Sequence, residues 1–239
     1  MSGHSKWSTI KRQKAVVDAK RGAIFTKLAN LITLSAKDGE DPNMNPSLKV
    51  AIEKAKEANM PKANIERAIK KGAGKLQGEQ VEEIYYEAIG PLGIQFIVKC
   101  LTDNKNRSVA NIRHLFTKYG GSLASVKWNF DLLGQIYVYL KDIYKNKIDL
   151  ENLELELIDK GIIDFKKEDK ELIISTKPED LNKISEFLKH YNLKINSAKI
   201  EYLAKEKQVV SENDEEMINK FFDNLDENED VVDYYHNII

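Results

Sequence analysis

The spacing of apolar residues changes once along this chain, and that change limits the folds open to it. Through residue 72 apolar side chains recur at steps of three and four: Ile24, Phe25, Leu28, Leu31 and Ile32, then Leu48, Ala51, Ile52, Ala55 and Ala58, then Ile65, Ala68 and Ile69. Such a period lays one apolar stripe along each of several α-helices. After Gly72-Ala73-Gly74-Lys75-Leu76-Gln77-Gly78 the pattern shortens to the alternation of strands. A chain of 239 residues that begins helical and continues as mixed strands and helices has room for one large domain or two to three small ones.

Within the helical front, residues 1–9 lack periodicity and read as a basic arm, and helix begins near Ile10. Lys11, Lys14, Asp18 and Arg21 follow helical steps, so three cations share a stripe. Gly22 either separates a short leading helix or weakens a continuous one. Residues 38–46 are a loop by their Gly, Pro and Asn content. Asn45 is placed to cap the next helix, and Pro46 suits its first position. Asn59-Met60-Pro61 ends that helix and starts another, with Gly72 as its expected left-handed stop and with Lys62, Arg67, Lys70 and Lys71 left for the outer side. The region reads as a three-helix unit.

Beyond the linker, residues 81–88 and 94–101 read as strands around the turn Ile89-Gly90-Pro91-Leu92-Gly93. Residues 109–119 read as a helix stopped by Gly120-Gly121, residues 123–130 as a strand, and Leu133-Gly134 as the close of the unit. Residues 135–203 then follow the order β-α-β-β-α-β, with strands at 135–140, 163–167, 171–176 and 195–203 and helices at 150–160 and 178–191. That order is the split βαβ, ferredoxin-like unit. Residues 211–225 form an acidic amphipathic helix, and residues 231–237 a last strand. One helix and one strand do not fold alone. Either they complete residues 80–133, which makes the ferredoxin-like unit an insertion, or they pack on that unit; the first is simpler. The expected fold class is multidomain α+β. It comprises a three-helix domain (residues 1–78), an α+β domain (79–133 plus 204–239) and an inserted ferredoxin-like domain (134–203).

The formal net charge of -1 conceals a division. Residues 1–80 carry 16 Lys+Arg against 8 Asp+Glu, and the rest carries 21 against 30. Residues 1–30 hold seven cations against Asp18 alone, whereas residues 212–233 hold ten carboxylates against Lys220. A basic front suggests a polyanionic partner, because clustered cations release counterions from phosphates. The plainer alternative is a set of solvated helix faces. With mean hydropathy -0.48 and no stretch approaching about 18 uncharged apolar residues, no membrane span is expected. The polar start Met1-Ser2-Gly3-His4-Ser5-Lys6 lacks an apolar core behind it, so no signal peptide is expected and the location is read as cytoplasmic.

Chemistry is sparse. Gly74-Lys75 comes nearest to a phosphate loop, but Ile69 stands where its first glycine belongs and Leu76 where its hydroxyl belongs. His4, His114, His190 and His236 show no metal-ligand spacing. The single cysteine, Cys100, excludes an intramolecular disulfide and reads as a buried, inert thiol. No catalytic residue, metal, cofactor or small-molecule substrate is expected, and the chain is not read as an enzyme.

Two clusters remain. The first runs from the arm into the opening helix. Trp7 lies among cations there and either stacks on an unpaired base or anchors the arm. The second is Thr102-Asp103-Asn104-Lys105-Asn106-Arg107-Ser108, between a strand and a helix. Asp103 or Asn106 suits a cap, while Lys105 and Arg107 suit a phosphate contact aided by the helix start. The candidate nucleic-acid contacts are therefore Lys6, Trp7, Lys11, Arg12, Lys14, Lys20, Arg21, Lys27, Lys62, Arg67, Lys70, Lys71, Lys105 and Arg107.

These same segments resemble YebC/PmpR proteins. The resemblance rests on Gly3-His4-Ser5-Lys6-Trp7 with Ile10-Lys11, Lys14, Asp18, Arg21 and Phe25-Thr26-Lys27. It continues through Asn59-Met60-Pro61, Asn64-Ile65, Arg67-Ala68-Ile69 and Lys71-Gly72, then through residues 101–107, Gly120-Gly121-Ser122-Leu123 and the closing strand. Two departures stand out: Lys37-Asp38-Gly39-Glu40 replaces a glycine run, and Leu123-Ala124 replaces glycines. The resemblance implies a helical domain plus two α+β domains, the ferredoxin-like one inserted. It also implies a regulator of gene expression. Bacterial members are described as DNA-binding transcriptional regulators. Others, including the mitochondrial translational activator of cytochrome oxidase, act on translation through RNA or the ribosome, and some help ribosomes through proline-rich stretches. The residues favour phosphate clamping over base reading, since Lys11, Arg12, Gln13 and Lys14 carry no mark of base readers. The expected function is a DNA-binding transcriptional regulator, with the alternative of a ribosome- or RNA-associated translation activator.

Overall fold

A computed structural model describes residues 18–76, 79–168 and 170–239, with side chains from residue 22 onward. In chain order its main elements are α1 (Asp18–Ser35), α2 (Pro46–Glu57), α3 (Lys62–Gly72), β1 (Glu82–Ile89), β2 (Gln95–Thr102), α4 (Lys105–Lys118) and β3 (Ser122–Leu123). There follow β4 (Phe130–Tyr139), α5 (Leu140–Lys145), α6 (Leu150–Asp159), β5 (Asp164–Glu168), β6 (Glu171–Thr176), α7 (Leu181–His190), β7 (Ile195–Ala204), α8 (Glu215–Glu227) and β8 (Val231–His236). The chain divides into two compact units, one taking in described residues 18–126 and 210–236, the other 127–209 and 237–239.

In the first unit, α1, α2 and α3 enclose a core of Ile32, Leu48, Ala51, Ala55, Met60, Ile65 and Ala68. Local signals act as expected at α2. The Asn45 side chain accepts from the Leu48 amide at 3.0 Å, and Pro46 takes the first turn. The stop of α3 differs from expectation. Gly72 is its last helical residue, and the left-handed residue is Gly74, at φ +73°. Gly72 serves packing instead. A Cβ there would lie 2.2 Å from the Thr33 carbonyl oxygen and 2.7 Å from the Ala36 Cβ, so α1 and α3 touch through that glycine.

The same unit holds a four-stranded antiparallel sheet in the order β3-β1-β2-β8. Pairing of β8 with β2 brings the C-terminal strand against residues 95–102. Phe96 of β2, Phe116 of α4 and Phe221 and Phe222 of α8 meet edge-on, with Phe96 centroids 5.6, 5.2 and 6.1 Å from the other three. Such pairs add about 0.5–1.5 kcal/mol each beyond burial. The acidic helix α8 is therefore anchored by its apolar face, with Glu216, Asp223 and Glu227 exposed.

In the second unit β4, β5, β6 and β7 form an antiparallel sheet in the order β5-β6-β4-β7, and α6 and α7 share with it a core of Ile136, Val138, Leu153, Leu157, Ile174, Ile184 and Leu188. Two expectations are corrected here. Residues 123–130 are not one strand: β3 has two residues, a 3-10 turn follows at Lys127–Asn129, and β4 begins at Phe130. Leu133-Gly134 does not close a unit but lies within β4, where Gly134 fits because a Cβ would press on Thr176 and Leu181. The short helix α5, which buries Leu140 and Ile143, had no counterpart in the sequence reading.

Candidate nucleic-acid interface

The described cations fall into two groups, according to what their side chains meet. Helix α3 follows Pro61, whose fixed φ suits a helix entry. It buries Ile65 and Ala68. Arg67 and Lys70 lie on the opposite side, exposed and without an ion pair among the described residues. Lys62 flanks them, 90% exposed, with Glu66 at 3.7 Å. Helix α2 adds Lys49, Lys54 and Lys56, also exposed and without an ion pair among the described residues. The sequence reading passed over those three. Their signal was available, since they occupy outward positions between Leu48, Ala51, Ile52, Ala55 and Ala58.

A second group is held by carboxylates of the same chain. Lys71, at the end of α3, meets Asp103 at 3.2 Å. Arg107 meets Asp103 at 2.9 Å and the buried Asp230 at 3.5 Å. Lys105 meets Glu82 at 2.7 Å. Although partial burial opposes it, Asp103 is held below the ordinary carboxylate range by hydrogen bonds from Lys71 and Arg107, and its hydrogen bond in turn raises Arg107. The cap of α4 is neither Asp103 nor Asn106. Asn104 accepts from the Arg107 amide at 3.0 Å, and Thr102 fixes the turn by accepting from the Asn104 amide at 3.1 Å. With Asn104 taking the cap, Asp103 is left for the two cations.

Helix α1 joins this assembly from its inner side. Asn30 donates to the Leu101 carbonyl at 3.1 Å, and the Lys27 ammonium donates to the Asp226 carbonyl at 2.5 Å, beside acidic α8. Lys20 and Arg21 lie in the first turn of α1. Lys6, Trp7, Lys11, Arg12 and Lys14 lie outside the described residues. Near the linker, Lys37 donates to the Val81 carbonyl at 2.7 Å and Lys75 pairs with Glu40 at 2.6 Å, on the wall of a cavity of about 420 Å³.

Burial, the largest influence on Cys100, pushes its thiol up to about 12, so its thiolate is scarce at neutral pH and it offers a poor nucleophile. Among the described residues no group of three His, Cys, Asp or Glu side chains is arranged to hold a metal, and no helix is long and apolar enough to cross a membrane. What the described surface offers is cationic helix faces next to self-neutralised ones.

Sequence models of one family account for nearly the whole chain. The model described as "TACO1/YebC protein N-terminal domain" matches residues 5–75, and "TACO1/YebC second and third domain" matches residues 81–238. A relative in Thermoanaerobacter pseudethanolicus, named "Probable transcriptional regulatory protein", is 48% identical over all of this chain and 97% of its own length. A relative of the same name in Hathewaya histolytica is 46% identical over 99% of this chain and 96% of its own. A solved structure, of a conserved hypothetical protein of Aquifex aeolicus, superposes with TM-score 0.70 at 39% identity, covering 96% of this chain and 95% of that one. Fold order, helical front and relatives agree, and the chain belongs to the TACO1/YebC family.

Proposed function

We propose that this protein is a non-enzymatic regulator of gene expression that binds nucleic acid through its helical front, residues 1–78. The α+β portion built on β1, β2, β3 and β8, and the inserted ferredoxin-like portion built on β4 to β7, serve as its carrier. The observation that carries this reading is the exposure of Arg67 and Lys70 on α3, and of Lys49, Lys54 and Lys56 on α2, each without an ion pair among the described residues. Residues 1–30 hold seven further cations in sequence, of which Lys27 is already engaged with the Asp226 carbonyl. Lysines and arginines in this state neutralise phosphates without reading bases. The names borne by the relatives support transcription control as the first reading.

A second reading, action on ribosomes or RNA, draws on one contact. Lys27 of α1 touches α8, so the acidic helix adjoins the basic front. A long duplex laid across the front would meet those carboxylates, whereas an RNA entered by one basic lobe would not.

Affinity for a mixed-sequence oligonucleotide, measured against salt, tests the common claim. With six to ten phosphates neutralised it falls about 10³–10⁵-fold between 50 and 200 mM salt. Cosedimentation with ribosomes that survives DNase and is lost with RNase assigns the protein to translation. Retention on duplex DNA after RNase assigns it to transcription. No binding to either nucleic acid at low salt contradicts the proposal.

A further inference from the structure

The cations of α3 form an arc that ends on a carboxylate. Arg67 and Lys70 lie opposite the buried Ile65 and Ala68, with Lys62 on one flank and Lys71 on the other. Lys71 continues the arc toward Arg107, but Asp103 stands between them, 3.2 Å from one and 2.9 Å from the other. All three side chains are partly open to solvent, at 29%, 31% and 54%. A pair this open to solvent is within reach of an incoming phosphate, which can take the carboxylate's place on the cations.

We propose that Asp103 is a built-in counterion, a carboxylate that occupies Lys71 and Arg107 when no polyanion is bound and yields them to phosphates when one is. The inference rests on the nucleic-acid reading above and concerns regulation of that same surface. It carries a consequence that a merely structural ion pair does not. A free lysine that meets a phosphate releases a counterion and steepens the salt dependence. A lysine that exchanges Asp103 for a phosphate releases that counterion too, but the abandoned carboxylate takes up a cation from solution. The two cancel, so Lys71 is nearly silent in the salt slope while Asp103 is present. Removing the charge of Asp103 makes Lys71 count. Arg107 gains less, because Asp230 remains 3.5 Å away.

A double-mutant cycle of the full chain on a single-stranded 20-nucleotide probe, with log affinity plotted against log salt, reads this directly. Asp103→Asn is expected to steepen the slope by about one unit and to raise affinity about fivefold to tenfold near 100 mM salt. Lys71→Ala is expected to leave the slope of the parent unchanged within a few tenths, yet to remove about one unit in the Asp103→Asn background. Thermal melts of all four proteins identify a variant that fails to fold, in which case Asp103→Ser with its Lys71→Ala partner replaces the pair in the cycle. Equal loss of slope from Lys71→Ala in both backgrounds, or lower affinity with an unchanged slope in Asp103→Asn, overturns the proposal and leaves Asp103 a tie between segments. Failure of the parent to bind the probe, or duplex DNA, at low salt overturns the interface and this inference together.

Discussion

Helices α3 and α4 both carry basic residues near one another, yet they present them in opposite states. On α3, Arg67 and Lys70 face solvent without an ion pair among the described residues. At the start of α4, Lys105 and Arg107 are each within 3 Å of a carboxylate from elsewhere in the chain or from the preceding turn. The first helix therefore offers charge to a partner at once. The second spends its charge on holding the β2–α4 turn, α3 and the start of β8 together. Cation count alone does not distinguish the two; what lies opposite each side chain does.

The comparison can be broken most severely at Gly72. Alanine there presses on the Thr33 carbonyl, a backbone atom that cannot turn aside. Gly72→Ala is expected to cost about 1–3 kcal/mol of stability by chemical denaturation and, by shifting α3 away from α1, to weaken oligonucleotide binding as well. Retained stability would mean that α1 and α3 do not pack through this glycine. A smaller effect is expected at the held group. Lys105→Ala should change stability by under about 1 kcal/mol and leave the salt slope of binding where it was. A fall in slope there would place Lys105 among the free cations. The smallest effect concerns pH. Because the folded pKa of Asp103 is depressed, its contribution is fully present above the ordinary carboxylate range and is lost only as pH falls through the lowered value. Between pH 7 and pH 5 the Lys71 pairing should therefore persist, and the Asp103→Asn increment in affinity should be the same at both. An increment that vanishes by pH 5 would mean that Asp103 titrates above its ordinary range.

Much of this architecture is legible in the sequence where the determinants are local. Asn45-Pro46 marks the start of α2 because capping and proline geometry involve only neighbours. The split βαβ order follows from period, whereas which strand β8 pairs with has no signal in spacing. Misreadings occur where a residue answers to something distant. Gly134 looks like a break but fits beneath Thr176 and Leu181, and Gly72 looks like a helix stop but fits against Thr33. The candidate interface shows the same limit. Outward positions of α3 can be counted from the helical period, so Lys62, Arg67 and Lys70 are found. That Lys71 meets Asp103, 32 residues later, is a tertiary fact with no signal in spacing. Choosing Asn104 over Asp103 as cap depends on the Thr102 hydroxyl that fixes the turn.

The most direct test of the account is the salt dependence of oligonucleotide affinity in a Lys62→Ala, Arg67→Ala, Lys70→Ala triple variant that melts like its parent. Loss of about one unit of slope for each of Arg67 and Lys70, roughly two in all with little added by the Glu66-paired Lys62, is the predicted result. An unchanged slope would contradict it, because the outward face of α3 would then lie away from the bound phosphates.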